Sequence, residues 1–185
     1  MDCILAANLT ERQKDVVALR RVDPTTVREM RYSTPHNFVG ERIDGYRQPL
    51  CSLTRPAAEA LHKAKQQLLY QGYTLKVYDC YRPQGAVNHF VRWANDLDDQ
   101  AMKTEFYPRV DKTRLFADGY IAEKSGHSRG STMDWTIVRL PAKPTRPYVP
   151  GEPLVRESRR GVVALHVLEI PYQPLTTDPR KTPFR

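Results

Sequence analysis

The sequence turns on one stretch, Ser125-Gly126-His127-Ser128-Arg129-Gly130-Ser131-Thr132-Met133-Asp134-Trp135-Thr136, where an aperiodic Ser/Gly/Arg loop runs into an apolar strand. Over 132–138 the chain alternates. Met133, Trp135 and Ile137 fall on one face, and Thr132, Asp134 and Thr136 on the other. Asp134 is thereby a carboxylate inside a strand, where an unpaired charge is costly to bury. Two solutions are open. A metal ion shared with His127 is one, because neutral imidazole nitrogen and carboxylate oxygen both suit zinc. The other is an Asp134 satisfied by Arg129 or by backbone amides, with His127 an ordinary loop residue.

The elements around this stretch follow from pattern. Asp23-Pro24-Thr25-Thr26 reads as a turn, and 27–32 as a first strand. A helix is predicted after Thr54 as N-cap, with Pro56 in its first turn and Ala57, Leu61, Ala64 and Leu68 at three-to-four spacing. Gly72 stops it. Residues 73–81 form the next strand, and Arg82 stands at its end, just before Pro83. There Arg82 is either the salt-bridge partner of Asp79 or a fixed cation held against a reacting centre. A second helix is expected over 83–103, with Ala86, Phe90, Trp93, Ala94, Leu97 and Met102 as its apolar face. His89 on that helix reads as surface or packing. Order and lengths predict an α+β domain, helices packed on a mostly antiparallel sheet.

Composition narrows the classes. One domain of 185 residues is long enough for a real core. Half of the net charge of +8 lies in the last 45 residues, which hold eight Lys/Arg against four acids. A basic tail of that kind reads as solvated, so no nucleic-acid partner is expected. No stretch approaches the roughly 20 apolar residues of a membrane span. Cys3, Cys51 and Cys80 are an odd count with no paired spacing, which suggests a reducing compartment. Residues 1–11 lack a basic region and a long apolar run, so the cytoplasm is the expected location. Oligomeric state is left open.

Three motifs together resemble the D-alanyl-D-alanine dipeptidases, the VanX-like branch of the LAS or M15 zinc peptidases. Ser125-x-His127-x-x-Gly130-x-x-x-Asp134 is similar to that family's first zinc motif. Tyr78-Asp79-Cys80-Tyr81-Arg82-Pro83-Gln84 resembles its arginine motif. Met30-Arg31-Tyr32-Ser33-Thr34-Pro35-His36-Asn37-Phe38-Val39-Gly40 resembles its N-terminal segment. The match runs over about 22–155, so residues 1–155 are expected to form the dipeptidase-like domain and 156–185 an atypical basic, Pro-containing tail.

The resemblance implies one zinc ion held by His127, Asp134 and a third histidine, and an Arg82 that stabilises the oxyanion. Ser125 and Tyr32 would bind substrate. The implied substrate is the dipeptide D-Ala-D-Ala, in cell-wall peptidoglycan metabolism. The family's Glu-x-x-His, which supplies the catalytic base and the third ligand, is not visible. His166 is the one histidine left downstream, with Glu157 and Glu169 as carboxylates near it. The C-terminal part of the fold is therefore expected to be incomplete, by a deletion or by a shifted reading frame after Val155. The alternative is a catalytically impaired relative that only binds cell-wall peptide ends.

Overall fold

The computed structural model describes residues 15–144. A three-stranded sheet of order β2-β4-β5 organises it, built from β2 (Val27–Arg28), β4 (Tyr73–Asp79) and β5 (Asp134–Arg139). β2 runs parallel to β4, and β5 antiparallel to it from Tyr73↔Arg139 to Asp79↔Asp134, with a bulge between Val77 and Asp79. A separate antiparallel pair joins β1 (Val16–Ala18) to β3 (Ser52–Thr54). The expected α+β architecture is what forms. The first strand is shorter than predicted, because Arg31–Ser33 turns into a 3-10 helix and lifts Tyr32 out of the sheet.

After a single-turn α1 (Leu19–Val22), the strong helix of the sequence is α2 (Arg55–Leu69), with Thr54 at its N-cap position and Pro in its first turn. Its side chain does not cap the helix; Thr54 Oγ1 pairs instead with Ser131 Oγ at 3.0 Å, tying the helix start to the loop before β5. α2 packs on Leu75 and Val77 of β4 together with Leu19, Met30, Leu53, Ala58 and Leu61. Trp135 and Ile137 pair with Val77 and Leu75 on the same face, yet they stay 49% and 37% exposed. On β5 it is Thr136 and Val138 that are buried.

The second helix, α3 (Gln84–Asn95), ends sooner than its apolar pattern suggested. A short α4 (Lys103–Phe106) follows a turn. The break is stabilised by Lys112, whose buried ammonium donates to the carbonyls of Asp96 and Asp99 and lies 4.1 Å from the Trp93 ring centre. α3 carries Phe90 and Trp93 into an aromatic core with Tyr32, Phe38, Tyr46, Phe106 and Tyr107. His89 is buried packing on this helix. Its Nδ1 accepts from the Asp44 amide, and its Nε2 faces Glu41 at 2.9 Å.

The cysteines depart from expectation. Cys51 and Cys80 form a disulfide, with Cα atoms 5.1 Å apart. The chain brings them together because the segment leading into β3 runs beside the end of β4, where the Tyr81 amide donates to Ser52 O at 3.0 Å. The unpaired-thiol reading of these two residues, and the compartment inferred from it, lose their basis.

Candidate metal centre

His127 is placed by the 3-10 turn Gly126–Arg129. Ser125 opens that turn by accepting from the His127 amide at 3.2 Å. Gly130 closes it at φ 75°, donating to His127 O, and its own carbonyl accepts from the Thr54 amide. A left-handed φ of this kind suits glycine. The turn is pinned to the end of β4 from the other side too, since Ser128 Oγ donates to Arg82 O at 2.8 Å.

Within this frame the imidazole has one defined tautomer. His127 Nδ1 lies 2.9 Å from Cys80 O, a carbonyl that can only accept, so Nδ1 carries the proton. In the neutral ring, Nε2 then presents a lone pair toward Asp134 Oδ1 at 3.4 Å. Two acceptor atoms face each other with no proton between them, an arrangement that a cation resolves. The spacing fits as well: two ligands of a tetrahedral zinc with bonds of about 2.0–2.1 Å stand about 3.3–3.4 Å apart. A backbone carbonyl accepting from the other ring nitrogen is the usual companion of a metal-binding histidine. His127 and Asp134 therefore fit a metal.

Asp79 completes a group of three whose ligand atoms lie within 4.8 Å. It is fully buried, and its oxygens are taken. Oδ2 accepts from Arg82 Nε at 3.0 Å and Nη2 at 2.8 Å, and Oδ1 accepts from Tyr46 Oη at 2.7 Å. It stands 3.5 Å behind His127 Nδ1, on the side away from the lone pair. Burial pushes the Asp79 carboxyl above its ordinary range, against the pull of Arg82 and His127. Burial likewise disfavours the Arg82 charge, but the neighbouring Asp79 outweighs it and holds the guanidinium protonated.

Arg82 Nη2 reaches out from Asp79 to 3.6 Å from Asp134 Oδ2. Its guanidinium carbon lies 5.1 Å from the Phe90 ring centre and 5.5 Å from that of Tyr32. Arg82 is the salt-bridge partner of Asp79, and the same guanidinium also reaches toward Asp134. Arg82 takes the place that the sequence offered to Arg129 beside Asp134.

Of the residues singled out from sequence, His127, Asp134 and Arg82 converge, and Tyr32 walls the guanidinium. Ser125 sits at the turn that delivers His127. His166, Glu157 and Glu169 lie outside the described residues, as does the 156–185 tail. Tyr46 and Phe90 escaped the sequence reading as site residues. The only signal for Tyr46 is the glycine turn before it, and Phe90 reads simply as core.

The family described as D-ala-D-ala dipeptidase, of peptidase family M15, matches residues 12–143. A D-alanyl-D-alanine dipeptidase of Enterococcus faecium is 43% identical over 60% of this chain and 55% of its own length. One from Enterococcus faecalis is 39% identical, and one from Streptomyces coelicolor 38%, over the same shares. The chain spans about half the length of the curated relatives it matches. With its centre and the bulk of its sequence matched in this way, the chain belongs to the D-Ala-D-Ala dipeptidase family of M15 peptidases.

Proposed function

We propose that this chain is a zinc-dependent dipeptidase that hydrolyses D-alanyl-D-alanine in cell-wall peptidoglycan metabolism. The observation that carries the reading is the lone pair of His127 Nε2 set 3.4 Å from Asp134 Oδ1, with the Arg82 guanidinium 3.6 Å from the same carboxylate. M15 peptidases are metallopeptidases. Zinc is the ion proposed here because one imidazole and one carboxylate are among its preferred donors. When bound, it supplies Lewis acidity toward a scissile carbonyl and lowers the pKa of water.

The roles of the chain's own residues follow from their placement. His127 and Asp134 would hold the ion, and Cys80 O would keep the His127 ring in its tautomer. Arg82 would donate to the oxygen on which negative charge develops, a contribution of about 3 kcal/mol for one well-placed donor. Being locked to Asp79 before substrate arrives, it needs little reorganisation. Tyr32 would close the pocket beside Arg82, and Ser125 would meet the amino end of the dipeptide. His166 is proposed as the third ligand.

A general base contributes about 10²- to 10⁴-fold, and Glu157 or Glu169 would supply it. The substrate is a small dipeptide, and no nucleic acid or membrane partner is proposed. Among the described residues no helix is long and apolar enough to cross a membrane. The cytoplasm expected from the sequence is not carried into this proposal, because a Cys51–Cys80 disulfide belongs to an oxidising compartment.

The experiment is release of free D-alanine from D-Ala-D-Ala by the purified full chain, with added zinc and again with chelator. Release that chelator abolishes supports the proposal. A folded, zinc-loaded chain that releases none overturns it.

A further inference from the structure

Asp79 uses its two oxygens unequally. Both Arg82 donors fall on Oδ2, although a guanidinium and a carboxylate left to themselves prefer the two-pronged fork across both oxygens. Oδ1 is kept from Arg82 by the Tyr46 hydroxyl, which donates to it at 2.7 Å in a buried setting. The consequence is directional. Held on one oxygen, Arg82 leaves Nη2 between two carboxylates, 2.8 Å from Asp79 and 3.6 Å from Asp134.

The turn that carries Tyr46 is built to deliver that hydroxyl. The Ile43 amide donates to Tyr32 O and the Tyr46 amide to Ile43 O. Gly45 between them takes φ 84° and packs on Pro83, the residue after Arg82, so closely that a Cβ there would meet Pro83 Cγ at 2.6 Å. The Tyr46 ring also lies 5.4 Å from that of Tyr32, which walls the guanidinium. The turn is thus fastened to both neighbours of the arginine.

We propose that Tyr46 is a positioning residue for Arg82: by occupying Asp79 Oδ1 it prevents the two-pronged pairing and aims the guanidinium at the metal centre. This rests on the dipeptidase reading for its purpose, and not for its geometry. Without the hydroxyl the Asp79 carboxylate turns, Arg82 takes both oxygens, and Nη2 withdraws from Asp134.

The test has two arms on the full chain. In ¹⁵N NMR, Tyr46→Phe is expected to shift the Arg82 side-chain N–H signals and leave backbone amides outside the site in place. Arg82 signals that stay where they were overturn the proposal. Should Tyr46→Phe not fold, the wild-type chain decides: a slowly exchanging Tyr46 hydroxyl proton with a cross-peak to Arg82 supports the proposal, and its absence overturns it.

In the second arm, zinc-loaded chain is titrated with D-Ala-D-Ala and with its phosphinate analogue, whose tetrahedral oxygens stand in for the oxyanion. Tyr46→Phe is expected to weaken the phosphinate about 10- to 100-fold, the range for a displaced group, and to change the dipeptide less than about 2-fold. Equal loss of both means that Tyr46 serves the fold alone, and overturns the proposal. A wild-type chain that binds neither compound counts against the dipeptidase reading, while the NMR arm still decides the role of Tyr46.

Discussion

Asp79 holds Arg82 from within the protein, its Oδ2 receiving Nε at 3.0 Å and Nη2 at 2.8 Å while no part of the aspartate is exposed. A charge pair this deep is costly to dismantle from one side. Replacing Asp79 by Asn leaves the guanidinium buried against a neutral amide, a change of the kind that costs about 3–5 kcal/mol. Urea unfolding of Asp79→Asn is expected to show that loss. A midpoint within error of wild type would mean that the pair adds nothing to the fold.

Metal affinity should depend on His127 and Asp134 and not on Asp79 as a ligand. Asp134→Asn and His127→Ala are each expected to weaken zinc binding by about 10-fold or more, measured by competition with a chromophoric chelator. Any effect of Asp79→Asn should be smaller, because its oxygens are committed to Arg82 and Tyr46. Equal losses at all three would place Asp79 among the ligands.

A second buried pair sets an acid limit on stability. Lys65 Nζ donates to Asp23 Oδ1 at 2.7 Å, and His62 Nδ1 lies 2.9 Å from Oδ2. Burial opposes the Asp23 charge, but the hydrogen bonds from Lys65, His62 and Thr25 outweigh it and hold the carboxyl well below the usual carboxylate range. The folded pKa is thus lower than the unfolded value of about 3.9. The stabilisation is fully present above that unfolded value. It is lost as pH falls from about 4 toward the folded pKa, since the unfolded chain takes up the proton first. Asp23→Asn should be less stable than wild type at pH 7, with the gap narrowing below about pH 4. A gap that stays constant to pH 2 would refute the linkage.

Gly45→Ala is expected to fold less stably. A side chain at φ 84° is strained by about 1–3 kcal/mol, and the added carbon presses on Pro83 Cγ. Thermal melting checks this. Gly119→Ala makes the comparison: its φ is 78° but nothing lies within 4 Å, so it should lose the strain component only.

Legibility in the sequence tracked how local each signal was. α2 announced itself through Ala57, Leu61, Ala64 and Leu68, and the alternation along 132–138 put Asp134 and Trp135 on opposite faces as found. His127, Asp134 and Arg82 could be read because their motifs lie in short contiguous runs. Tyr46 could not, because its partner Asp79 is 33 residues away and a tyrosine among core aromatics carries no mark of its hydroxyl's target. The Cys51–Cys80 pairing was hidden for the same reason, resting on two chain segments meeting 29 residues apart. The early end of α3 was also invisible. Leu97 and Met102 kept the apolar rhythm going, while the deciding contact came from Lys112 beyond it.

Cys80 bonds through its sulfur to Cys51 and through its carbonyl to His127, and it stands between Asp79 and the turn toward Arg82. The two attachments differ in what they ask of heredity. Every amino acid brings a carbonyl, so the hold on His127 survives almost any replacement that keeps the backbone in place. The sulfur bridge survives none, and losing it strands a lone thiol at position 51. Descent should therefore treat the two cysteines as a single character, gained or dropped together, while the backbone bond beneath them passes unchanged from one version to the next.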